Sequence, residues 1–178
     1  MVMTQQKPAI VVRDLHIVVQ GSGMEIVNDV SFSVAPGEVL GLVGESGSGK
    51  TTVGLALLGH SRRGAVIKGG SVRVGDVEVL KLSAIERQRL RGRLVSYVPQ
   101  DPASALNPAL RTGTQLREIL EAHNYGRNAD ERRARVAEMM REVALPDNPR
   151  FLRNYPHELS GGQQQRIGLA IAFACRPR

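Results

Sequence analysis

Val39-Leu40-Gly41-Leu42-Val43 runs directly into Gly44-Glu45-Ser46-Gly47-Ser48-Gly49-Lys50-Thr51, and a helix-compatible stretch follows through Leu58, ended by Gly59. The first five residues form a short continuous apolar run, the pattern of a strand buried on both faces. The next eight match G-x-x-x-x-G-K-[ST], a motif that has force only between a strand and a helix, which is its setting here. Gly44, Gly47 and Gly49 let the backbone curl so that several N–H groups point at one anion. The helix starting near Lys50 adds its positive end. Lys50 reaches the β- and γ-phosphates as a point charge, and the Thr51 hydroxyl is a ligand for Mg²⁺. Gly44, Glu45, Ser46, Gly47, Ser48, Gly49, Lys50, Thr51 and Thr52 are therefore the candidate nucleoside triphosphate site.

Around this loop lies a chain of 178 residues with 24 Lys+Arg, 17 Asp+Glu and a formal charge of +7. That length suits one domain with a real core. Its 42% apolar and 23% charged residues read as globular rather than disordered. The longest unbroken apolar run, Leu169–Cys175, is far short of the ~18–20 residues that a membrane span needs. Met1–Ala9 is polar and carries no apolar stretch of the secretory kind, so the chain reads as a soluble, intracellular type of domain. Cys175 is the only cysteine, which excludes a disulfide framework within the chain and any multi-cysteine metal site.

Arginine dominates the positive charge, with clusters at Arg87–Arg93 and Arg132–Arg141. Both are interleaved with helix formers and acids, so they read as solvated helix faces or as a surface for an acidic partner. Three Phe, three Tyr and no Trp leave little material for stacking bases.

Ile10–Val19 and Ile26–Val34 are Val/Ile-rich and separated by Gly21-Ser22-Gly23, which predicts a hairpin or meander. Ser71–Val79 alternates and predicts another strand, and Leu94–Val98 a short apolar one stopped by Pro99. Ser83 with Glu86 has the capping-box spacing for a helix through about Arg91. Asp101–Pro108 reads as loop. Helices are expected over about Thr114–His123 and Ala129–Val143, the second started by Asn128 with Glu131 at the capping spacing. Pro146–Pro156 reads as a connector, and Ser160 caps a last helix with Ile167, Ile171 and Ala174 on one face.

Leu159-Ser160-Gly161-Gly162-Gln163 opens that last helix, and two glycines beside a capping serine make a donor-rich helix start suited to an anion. With the phosphate loop, this pentapeptide makes the sequence resemble the nucleotide-binding domain of ABC transporters, from about Ile10 to Arg178. Gln100 matches the family's glutamine loop. Gln100-Asp101-Pro102, Leu106-Asn107-Pro108 and Tyr155-Pro156-His157-Glu158 are similar to the ATP-binding subunits of peptide and nickel importers.

The resemblance implies an α/β fold: a P-loop NTPase core with an N-terminal antiparallel β subdomain and a helical insertion, incomplete at the C-terminus. It places a β-rich core at about 10–100, a helical subdomain at about 101–158, and the signature with its helix at 159–178. It implies ATP and Mg²⁺ as cofactors, with Gln100 contacting the metal or the attacking water. Leu159, Ser160, Gly161, Gly162 and Gln163 would meet the γ-phosphate held by a second nucleotide-binding domain. The implied partners are that second domain and the integral membrane subunits of an importer, most simply one for peptides. The implied place is the cytoplasmic face of the cell membrane, as a peripheral protein, and no nucleic acid is expected.

Two positions depart from the family pattern. Val19 stands where an aromatic residue usually stacks on adenine. After Gln163 there is no apolar run ending in Asp-Glu, and none of His16, His60, His123 or His157 matches the switch histidine. A partial domain is therefore expected, without the Walker B aspartate and catalytic glutamate, and no catalytic residue is assigned. Two other readings stand beside an importer subunit: a non-transport ABC-type ATPase acting on nucleic acid or ribosomes, and a non-catalytic ATP-binding remnant.

Overall fold

The computed structural model describes residues 7–101 and 103–177, in two compact units, Met1–Val95 and Ser96–Arg178. The first unit is built on an antiparallel sheet. Strands β1 (Ile10–Val19) and β2 (Glu25–Val34) form the expected hairpin, and β3 (Ala65–Val74) and β4 (Val77–Glu78) complete the order β2-β1-β3-β4. β1 is central, with Ile10 opposite Val34 on one side and Val74 on the other. Alternation along β1 and β3 directs Val12, Ile17, Val72 and Val74 into one core, joined by Val53 and Ala56 of helix α1 (Lys50–Ala56). Full burial of each large aliphatic side chain there contributes roughly 1.5–3 kcal/mol.

The β1–β3 register slips between Arg13 and His16. Asp14 takes φ 49°, and a Cβ on Gly70 would lie 2.5 Å from its carbonyl oxygen. Only glycine lets the two backbones approach so closely at this bulge.

Helix α2 (Ala84–Leu90) starts with the predicted capping box: the Glu86 N–H donates to Ser83 Oγ (3.3 Å) and the Ser83 N–H to Glu86 Oε2 (2.8 Å). Behind it, Arg87 donates to the Gly59 carbonyl (3.1 Å) and Arg91 to the Leu58 carbonyl (3.2 Å). Two of the four arginines of the first cluster thus donate to carbonyls of the turn that follows α1.

Three expectations for this half of the chain need correction. Val39–Val43 forms no strand; Val39 and Val43 are 93% and 97% exposed. A strand exists only through ladder bonds to a neighbour, and among the described residues nothing pairs with this run. Leu94–Val98 is likewise not a strand. It is a turn followed by irregular chain, with a single parallel bridge between Arg91 and Val95. Ser71–Val79 is not one strand, because Gly75 at φ 57° turns the chain between β3 and β4. β3 also starts earlier, at Ala65.

The second unit is helical. α3 (Thr112–Ala122), α4 (Ala129–Glu142) and α6 (Gly161–Phe173) bury Leu116, Leu120, Val136, Met139, Met140 and Ile167 against one another. Asn128 caps α4 through the Glu131 N–H (2.9 Å), as its spacing predicts. The stretch Pro146–Pro156 is more than a connector. Asn148 caps a short helix, α5 (Pro149–Leu152), by accepting from the Phe151 N–H at 2.9 Å, with Pro149 in the first helical position where its missing donor costs nothing. The second arginine cluster is largely paired: Arg132 with Glu121, Arg133 with Asp130, Arg141 with Asp147, and the buried Arg135 with Glu138 and Glu142.

Candidate functional site: a phosphate loop and a capped signature helix

The loop from Gly44 to Gly49 belongs to the first unit. Gly44, Gly47 and Gly49 have φ of 156°, 87° and 85°. At Gly49, the N-cap of α1, an added Cβ would lie 2.8 Å from the Ile26 carbonyl oxygen and 3.1 Å from a Val27 methyl. This position therefore excludes other residues both by backbone and by crowding against β2. A Cβ on Gly44 would reach Ser48 Oγ at 2.8 Å, inside the concavity of the loop.

Lys50 folds back into that concavity. Its Nζ donates to the carbonyls of Gly44 (2.8 Å) and Glu45 (2.5 Å) and to Ser48 Oγ (3.1 Å). The ammonium is held at the centre of the loop by three neutral acceptors, which phosphate oxygens displace because their negative charge adds an ion-pair attraction that a neutral carbonyl lacks. α1 has no side-chain cap, so no side chain competes for the amide donors of its first turn. Thr51 is exposed while Thr52 is buried. Ser46 and Gly47 are exposed, as is the rest of the loop from Gly44 to Ser48.

Leu159–Gln163 belongs to the second unit. Ser160 caps α6: the Gln163 N–H donates to Ser160 Oγ (3.3 Å) and the Ser160 N–H to Gln163 Oε1 (2.9 Å). The Gln163 side chain is thereby committed to the helix start. Gly161 and Gly162 are exposed, and an added Cβ on either meets nothing within 4 Å. Among the described residues nothing demands glycine at either position, and the backbone there is open. Leu159 is buried in the helical core and offers only main chain to a ligand. Gln100 is also in the second unit, exposed on irregular chain.

Several supporting residues were not foreseen from the sequence. Gln164 Nε2 donates to the carbonyls of Pro156 (2.8 Å) and Leu159 (3.1 Å), tying the approach to the signature onto α6. Tyr155 stacks on His157, with ring centroids 5.6 Å apart, and Arg111 lies over the Tyr155 ring at 5.2 Å. Gln115 holds the loop before α3 by donating to the carbonyls of Asn107 and Leu110 and accepting from the Asn107 N–H. Local spacing carries no sign of these contacts, because the path of the folded chain brings their partners together.

Comparison with solved structures places this architecture among ATP-binding cassettes. The dimeric structure of MJ0796, described as a bacterial ABC transporter cassette, superposes with a TM-score of 0.77 at 25% identity, covering 94% of this chain and 70% of that one. The cbiO1 protein of Clostridium perfringens, described as part of the ABC transporter complex cbiONQ, shares the fold with a TM-score of 0.76 at 22% identity, covering 97% of this chain and 63% of that one. The chain belongs to the ABC transporter family, whose model matches residues 27–178. It is 39% identical over 177 residues to the oligopeptide transport ATP-binding protein OppD of Escherichia coli, covering 98% of this chain and 52% of that protein. It is 37% identical over 164 residues to the dipeptide transport ATP-binding protein DppD of the same organism, covering 92% and 50%. The chain thus spans about half the length of the curated relatives it matches.

Proposed function

We propose that this chain is the ATP-binding part of an ABC importer subunit, most simply one for peptides, that couples nucleotide binding to transport across a membrane. The observation that carries the reading is the Lys50 ammonium drawn into a loop where a side chain on Gly44 or Gly49 would clash with its neighbours. Relatives named for oligopeptide and dipeptide transport support the substrate class. In this reading Lys50 exchanges its loop carbonyls for β- and γ-phosphate oxygens, and the loop amides take the remaining phosphate charge.

Mg²⁺ fits the donors present in a limited way. Among the described residues, no group of three or more His, Cys, Asp or Glu could hold a metal. Thr51 nevertheless offers an exposed hydroxyl beside the loop, and Mg²⁺ binds readily through one protein ligand, phosphate oxygens and water. Bound there, the ion would supply charge neutralisation on the phosphates. Gln100 is proposed as a further contact to the metal or to a water.

The exposed Ser160, Gly161 and Gly162 suit a γ-phosphate presented by a second nucleotide-binding domain, and integral membrane subunits are the other proposed partners. No described helix is long and apolar enough to cross a membrane, which accords with a peripheral place on the cytoplasmic face. Arg87, Arg91 and Arg135 hydrogen-bond within the fold, which leaves fewer guanidinium groups for a nucleic-acid surface. The test is calorimetric titration of Mg-ATP into the wild-type chain and Lys50→Ala. Loss of a charge-assisted contact of roughly 1.5–3 kcal/mol weakens binding about tenfold or more, and equal affinity in the two proteins rejects the site.

A further inference from the structure

The second unit contains a concavity that the nucleotide reading does not use. A cleft of about 520 Å³ opens between α3, α4 and α5. Its floor is apolar, formed by Val136, Pro149 and Leu152, and arginines stand around it. The volume and the apolar lining with a few polar groups are those of a small-molecule site.

The charge in this cleft is not balanced. Of its lining arginines, Arg133 is neutralised by Asp130, and the single lining acid, Asp147, is neutralised by Arg141 at 2.8 Å. Arg111, Arg117 and Arg153 have no acidic partner among the described residues. Arg111 lies over the Tyr155 ring, and Arg117 donates to the neutral Thr114 hydroxyl at 3.3 Å. Three guanidinium groups, Arg117 on α3 and Arg111 and Arg153 at the residues flanking α3 and α5, thus border one apolar floor. Guanidinium forks match phosphate and carboxylate oxygens in pairs, and their field in a concave, low-dielectric setting concentrates anions.

We propose that this cleft is a binding site for a small amphipathic organic anion: a molecule with an apolar body that lies on Val136, Pro149 and Leu152 and an acidic group, phosphate or carboxylate, held by Arg117 and Arg153. The proposal is independent of the phosphate loop. Arg111 forms the side of the cleft nearest Tyr155, five residues before the capping Ser160.

The probe is 1-naphthyl phosphate, which joins an aromatic body to a dianion, titrated calorimetrically at physiological salt into the 178-residue Lys50→Ala chain. That background removes the main phosphate contact of the nucleotide loop, so failure here and failure of the nucleotide reading are separate results. Saturable binding is expected, with Arg117→Gln/Arg153→Gln weakening it about tenfold or more. Both residues are exposed, so the double variant should keep the parent's melting temperature. Leu152→Glu, which puts a carboxylate at the floor, should abolish binding as well. Three results overturn the proposal: equal affinity in the arginine variant, inorganic phosphate binding as tightly as the aryl phosphate, or 1-naphthol doing so. Displacement of the probe by an acidic Leu/Glu peptide at lower concentration than the free probe requires would also overturn it, in favour of a protein segment as the occupant.

Discussion

The guanidinium of Arg135 sits with Nε 2.9 Å from the Ala174 carbonyl oxygen, tying α4 to the last turn of α6. Its Nη2 also donates to the Phe173 carbonyl (2.8 Å), and Glu142 grips it in a fork at 2.8 and 3.2 Å. Burial works against the charge, but hydrogen bonds and attraction from Glu142 and Glu138 outweigh it and raise the group's pKa. α6 begins at Ser160 and ends at this clamp, so the helix that carries the signature is fixed at both ends by side-chain hydrogen bonds.

Arg135→Met should therefore destabilise the helical unit by about 2–3 kcal/mol, because the Ala174 carbonyl loses its donor and the Glu142 carboxylate its partner, while Glu138 and the Phe173 carbonyl keep only Arg176. Arg135→Lys keeps the charge without the planar fork and should recover only part of this. Urea unfolding followed by far-ultraviolet circular dichroism measures both. A change below about 0.5 kcal/mol for Arg135→Met would show that the clamp is dispensable.

The same cluster sets an acid limit. Hydrogen bonding from Arg135, against a smaller opposing effect of burial, holds the Glu138 carboxyl below the ordinary glutamate range, with Arg176 adding to the effect. The unfolded chain then takes up this proton at a higher pH than the folded one. The contribution is complete above the unfolded pKa of about 4.3 and fades as pH falls through the lower folded value. Melting temperatures of wild type and Glu138→Gln should differ most at neutral pH and converge in acid. A constant difference down to strongly acid pH would contradict the assignment.

Two glycines in the candidate site should behave oppositely. Gly49→Ala forces a positive φ and a Cβ against the Ile26 carbonyl, and should cost about 1–3 kcal/mol as well as weaken Mg-ATP binding. Gly161→Ala meets nothing and replaces a poor helix former, so the melting temperature should hold or rise. If Gly161 serves a second domain, that same variant in a full-length subunit loses ATP-dependent dimerisation, as judged by light scattering. Loss of stability in Gly161→Ala would mean that the glycine is needed within the chain instead.

Val39 and Val43 stand almost fully exposed beside Leu40 and Leu42. An extended apolar run with unpaired backbone is a template for pairing with another chain. Val39→Lys/Val43→Lys in the 178-residue chain should lower self-association in dynamic light scattering without lowering the melting temperature. Unchanged association would place the sticky surface elsewhere.

Features that depend on residues close together along the chain can be read from their spacing. The capping pairs Ser83/Glu86 and Asn128/Glu131, and Ser160 as the cap of the last helix, were legible because a cap is a bond across three residues. The phosphate loop was legible because its glycines answer to local backbone geometry. The tertiary structure decided the rest. Val39–Val43 and Leu94–Val98 have the composition of strands, but a strand is defined by its neighbour, and composition cannot say whether a neighbour lies beside it. The arginine clusters look alike in sequence, yet Arg87, Arg91 and Arg135 are drawn inward onto helix-end carbonyls while Arg117 and Arg153 stay exposed around a cleft. Which arginine finds a carbonyl is settled by where distant helices end, and that depends on packing across 28 to 39 positions of chain.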